Sequence, residues 1–171
     1  MADISINKQP SNIKSLKADG MEKILAVLST VLLLAALTAL GRGLDEWHLL
    51  PWQVWTHLGT ILTALAITPV MMLRKRGDDL HRLLGWIWSA AMFATALISF
   101  DIRLIAKGEF SFIHLLSLLT LVGVPVLIGT ARRHKIAQHR RQARGFIIGA
   151  LLVAGFFTFP FDRLLGSWLF G

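Results

Sequence analysis

The chain has 171 residues, 54% hydrophobic against 16% charged, which is too apolar for a soluble domain and suits a polytopic membrane protein. It has no cysteine, so disulfides, zinc-thiolate sites, iron-sulfur ligation and covalent haem attachment are excluded, and any metal chemistry must rest on His, Met or carboxylates. A formal charge of +8 would suggest nucleic acid on a soluble protein. Here the basic residues stand beside apolar runs and read as signals of membrane orientation, so no nucleic-acid partner is expected.

Residues 1–20 are polar, lack an apolar period and are expected to form a flexible cytoplasmic tail. A first transmembrane helix is expected over 21–41, with its apolar run at 24–40. That run is longer than the apolar stretch of a secretory signal, and the helix is read as retained. Further spans are expected at 54–73, 83–102, 110–130 and 146–161, each close to the roughly 20 apolar residues a helix needs to cross the hydrocarbon core. Short connections make consecutive helices antiparallel. The expected fold is therefore an all-α membrane protein of five helices, with helices 2 to 5 forming a four-helix bundle and 162–171 an external C-terminal segment.

Lys and Arg number four across 1–23, four across 74–82 and six across 131–145, against one, two and one in the alternate segments. This asymmetry predicts a multi-pass protein embedded in the lipid bilayer, N-terminus in the cytoplasm and C-terminus outside. Trp47, Trp52 and Trp55 cluster where an outer aromatic belt would fall. Pro69 and Pro125 each remove a backbone hydrogen bond and should kink the second and fourth helices.

Laying the hairpin 54–102 over the hairpin 110–161 brings out an internal duplication. "HLGTILTALAITPV" begins at His57 and "HLLSLLTLVGVPV" at His114; each copy continues to an HR pair, His81-Arg82 and His139-Arg140, and ends on Phe-Asp, at Asp101 and Asp162. The offsets are 57 residues for the first His, 56 for the Pro, 58 for the second His and 61 for the Asp. Both copies start on the same side, so the repeat is parallel, about an axis along the membrane normal. Such an axis would pair His57 with His114 near the outer face and His81 with His139 near the inner face. A rise of about 1.5 Å per residue sets the two levels on the order of 25 Å apart.

Imidazoles in a membrane helix normally face the bundle interior and pair with another group. Two facing imidazoles can ligate both axial positions of a haem iron, so the four histidines are candidate haem-iron ligands. Gly85 and Ala143, one turn beyond His81 and His139, would leave room for a flat macrocycle, and Arg82, Arg140 and Arg144 could meet its propionates. Arg and His at this interface could equally snorkel towards lipid phosphates. Asp101 and Asp162 could hydrogen-bond the outer imidazoles or exchange protons with a quinol or small reductant, or they could pair with Arg103 and Arg163. His48 and His134 have no counterpart in the duplication and read as solvated loop residues. Gly145 and Gly149 form a GxxxG pattern that could bring a second copy close, giving a homodimer.

"LHRLLGWIW", "FSFIHLLSLLTLVGVP" and "HRRQARGFIIGALLVAGFFTFPFDRLLG" resemble an uncharacterised bacterial integral-membrane family, domain of unknown function 2306, over about residues 50 to 166. Ala143 stands where that family often has Met, and the family implies no reaction. In helix arrangement alone the chain is similar to two-haem transmembrane b-type cytochromes of the ascorbate-reducing kind, which have six helices. That likeness implies haem b, ligand pairs on the second and fourth and on the third and fifth helices, and transmembrane electron transfer. Two other readings stay open: a metal-ion or proton transporter or channel lined by His57 and His114, and a non-catalytic structural subunit, with no cofactor, whose histidines tie helices together.

Overall fold

A computed structural model describes residues 17–102, 112–160 and 163–171; for 112–114 it describes the backbone alone. Among the described residues every regular element is helical. The first helix, α1, spans Gly20–Arg42 and opens on a capping box. Asp19 accepts the Glu22 N–H at 3.1 Å while the Glu22 carboxylate accepts the Asp19 N–H at 3.0 Å, satisfying two donors that a helix start leaves free. A 3-10 turn, Leu44–Leu49, leads to α2, Trp52–Leu73, which starts directly after Pro51. The chain then turns through Gly77 in the left-handed region (φ 85°), and Asp78 caps α3, Asp79–Asp101, by accepting the His81 N–H at 2.8 Å. Helix α4, Phe112–Arg132, is followed by a turn through His134, also left-handed at φ 52°.

The next stretch differs from the sequence expectation. A span was expected at 146–161, but the helical run opens ten residues earlier as α5, Ile136–Phe146, passes into a π-helical segment, Ile147–Val153, and ends as α6, Ala154–Phe156. Hydropathy marks only where a helix becomes apolar. The polar residues Gln138 to Arg144 are good helix formers and extend the helix beyond that point, while Gly155 and Pro160 end the regular stretch early. A short α7, Leu164–Phe170, completes the chain.

Helices α1, α2, α3 and residues 115–132 of α4 are long and apolar enough to cross a membrane, as in a multi-pass membrane protein. Ile24, Val27, Val31 and Leu34 of α1 are about half exposed or more, an apolar face that suits lipid rather than water. Pro69 and Pro125 lie inside α2 and α4 as expected.

Consecutive helices pack on one another from α1 to α5, and the π-helical segment returns to touch α1, α2 and α4. Its Ile147 and Leu151 enter a core with Leu25, Leu65, Met92 and Val124. Phe146 lies over Gly123, whose missing side chain provides the space for that ring. A second core joins Ala36, Ala39 and Leu58 to Leu165 and Trp168 of α7. The starts of α1, α3 and α5 gather at one end, here the basic end. The opposite, tryptophan end holds Trp47 and Trp55 in edge contact, ring centroids 4.8 Å apart.

Candidate functional site: a histidine pair beside a buried ionic cluster

A ladder of side-chain contacts running towards the tryptophan end fixes the register of α2 against α3. Trp88 Nε1 donates to Thr68 Oγ1 at 3.0 Å, Thr95 Oγ1 lies 2.7 Å from Thr60 Oγ1, and Ser99 Oγ lies 3.3 Å from His57 Nδ1. His57 is thus half-buried with one nitrogen engaged. His114 lies in the first turn of α4, its side chain outside the described residues, as are Arg103 and the whole of Asp162. Asp101 is exposed at the end of α3, and His48, in the 3-10 turn, and His134, in the turn after α4, are both exposed.

At the basic end, His81 sits in the first turn of α3 behind Asp78, half-buried, with Nδ1 shut from water and without a hydrogen-bond partner. His139 sits in the first turn of α5, its Nδ1 3.2 Å from the Leu127 carbonyl of α4. A carbonyl only accepts, so Nδ1 carries the proton, which holds the ring in place and leaves the Nε2 lone pair free. The two imidazoles are close enough for their charges to interact, and Arg76 lies near both. The space expected beyond these rings is in ordinary contact: a side chain on Gly85 would meet Met71 Cε at 3.8 Å, and Ala143 packs on the core.

Beside the histidines lies a group with no counterpart in the motif reading. Glu22 is 1% exposed and is surrounded by three arginines from two other segments. Arg140 binds it through both Nε (2.7 Å) and Nη2 (3.0 Å), Arg144 Nη2 reaches it at 3.0 Å, and Arg76 of the α2–α3 turn pairs with it too. Asp19 pairs with Arg140 at 2.9 Å and with Arg144. A lone buried carboxylate would be prohibitive, and the three guanidiniums offset its lost hydration. Desolvation pushes the Asp19 carboxyl up, but the Glu22 N–H, Arg144 and Arg140 together outweigh it and hold the group below the usual carboxylate range. At Asp78 the His81 N–H, followed by Arg74, has the same net effect.

Arg140, expected to face a propionate, is therefore engaged with Glu22, while Arg82 is exposed and reaches only Asp79, at 3.4 Å. The sequence carried one signal for Glu22: Asp-x-x-Glu just ahead of an apolar run is a capping box. Nothing in that local pattern points to residues 118 positions away. Among the described residues no group of three or more His, Asp or Glu is placed to hold a metal ion. Comparison with protein-family models, curated proteins and solved structures finds no match for this chain.

Proposed function

We infer that the protein is a b-type haem protein of the bacterial inner membrane that passes electrons across the bilayer. The observation that carries this reading is that His81 and His139, from helices not joined in one hairpin, lie within electrostatic reach of each other, with His81 Nδ1 buried and unpartnered. Iron in haem needs only two protein ligands, so a pair suffices where a metal-ion site would want three or four. His139, held through Nδ1 by the Leu127 carbonyl, presents Nε2 as a ligand with its tautomer already set. Bound haem would supply one-electron redox chemistry, and the chain would hold and orient it and exclude water. Met71 and Ala143 occupy the space the macrocycle needs and must move for it, and Arg82 rather than Arg140 is left for its propionates.

In this reading the run Ile136–Phe156 is the fifth span, helices α2 to α5 form the bundle, and the N-terminus and both basic turns face the cytoplasm. The left-handed residue ahead of each basic-end histidine, Gly77 and His134, supports a duplicated hairpin. His57 and His114 would form the second pair, reached by a quinol or small reductant, near Asp101 and Asp162. The test is a visible spectrum of the protein purified from haem-replete cells, with and without dithionite. A Soret band that shifts on reduction, reduced in His81→Ala and His139→Ala, is expected. A well-folded protein without a Soret band would end the proposal.

A further inference from the structure

Helix α5 carries a trough of about 620 Å³ along its outer face. Its lining includes the small residues Ala137 and Gly145, the cationic Arg140, Arg141 and Arg144, and the apolar Ile148. Arg140 and Arg144 pair with Glu22 and Asp19, and Arg141 adds a guanidinium for which the described residues show no ion pair. Arg144 Nε is buried without an acceptor, leaving a donor of the trough's own lining unused. The trough lies where polar α5 passes into the apolar π-helical segment, and beyond it Ile148, Val153 and Phe156 are exposed at 41%, 44% and 61%. Charge at one end and an apolar track at the other match the two parts of one molecule.

We propose that this trough is a binding site for an anionic phospholipid, its phosphodiester held by Arg141 and Arg144 and an acyl chain laid along Ile148 and Phe156. Basic recesses at the end of membrane helices suit such headgroups. A second copy of the chain fits less well: a two-fold contact through this face would set Arg140, Arg141 and Arg144 against their own equivalents. Free phosphate would use the arginines but gain nothing from the apolar track.

The test titrates delipidated full-length protein in detergent with dioleoylphosphatidylglycerol, dioleoylphosphatidylcholine or inorganic phosphate, reading bound mass by native mass spectrometry. Phosphatidylglycerol should bind at least about fivefold more tightly than phosphatidylcholine, the increment expected of one basic residue at a membrane surface. Arg141→Glu and Ala137→Trp both alter exposed positions outside the Glu22 cluster, so the fold is kept. The first reverses a charge of the lining and the second fills space beside it, and each should erase the preference. Equal binding of the two lipids, a preference that survives either variant, or inorganic phosphate binding as tightly as phosphatidylglycerol would overturn the proposal. So would a dimer whose formation ignores lipid and is abolished by Ala137→Trp.

Discussion

At the basic end, Glu22 draws together Arg76 of the α2–α3 turn and Arg140 and Arg144 of α5, so one carboxylate ties three segments that are distant in the chain. The tryptophan end is joined by contacts in which at least one partner is neutral. Trp168 covers Gly43 and donates to Glu46 at 2.9 Å, Arg42 reaches the Leu169 carbonyl, and α2 meets α3 through Thr60, Thr95, His57 and Ser99. The difference lies in what is left behind when a contact breaks. Opening a hydroxyl contact inside a membrane helix pair leaves groups that can turn back to their own helix carbonyls, as Thr95 and Ser99 already do. Removing Glu22 leaves guanidiniums that are only 10% to 25% exposed facing one another.

The largest effect is therefore expected from Glu22→Ala. Breaking a buried ion pair from one side costs about 3–5 kcal/mol, because the remaining guanidiniums stay desolvated and the half-exposed Asp19 compensates Arg140 and Arg144 only in part. Thermal or denaturant unfolding in detergent should place this variant far below the parent. If it loses no more than a hydroxyl deletion at the other end does, the contrast between the two ends fails.

Next in size is Thr68→Val. Thr68 is 1% exposed and Trp88 4% exposed, so the substitution keeps shape but leaves the indole N–H buried without its acceptor. An orphaned buried donor costs about 1–3 kcal/mol. The same unfolding experiment should rank it between Glu22→Ala and the hydroxyl deletions. Thr95→Val and Ser99→Ala come lower, at about 0.6 kcal/mol each, the average for hydrogen bonds between membrane helices. Their double variant should lose the sum within error if the ladder is a set of independent contacts, and more if Ser99 also holds the His57 ring.

Much of this molecule was legible from the chain because its signals are local. Apolar runs marked α1 to α4, the basic turns and Trp cluster marked opposite ends, and Pro51, Asp78 and the Asp19–Glu22 box begin helices where such residues should. What escaped was non-local. The hydropathy pattern placed a helix start at Phe146, when the run begins at Ile136 on residues whose polarity says nothing against helix. Arg140 and Arg144 were marked as cationic, but which anion they meet depends on α1 lying against the last helical run, and no spacing within residues 137–146 encodes that contact. His57 and Ser99, by contrast, lie in one hairpin, so their approach follows from antiparallel register once the turn at Gly77 is known.

The smallest effect concerns Asp19, which shares Arg140 and Arg144 with Glu22 but is 46% exposed. Its carboxyl is held below its ordinary value in the folded chain, so ionised Asp19 favours the native state. That contribution is fully present above the ordinary carboxylate range and is lost as pH falls through the lowered folded value. Because the group is half in water, salt should screen much of the effect, unlike the sealed Glu22 contacts. Melting temperature followed from neutral pH down through the carboxylate range should therefore fall less steeply in Asp19→Asn than in the parent at low salt, and the two slopes should converge at 1 M salt. Slopes that stay apart at high salt would mean that Asp19 is as shielded as Glu22, and would extend the buried cluster to the mouth of α1. Slopes that coincide at low salt would confine the clamp to Glu22 alone, leaving Asp19 to serve only as the cap that starts the helix.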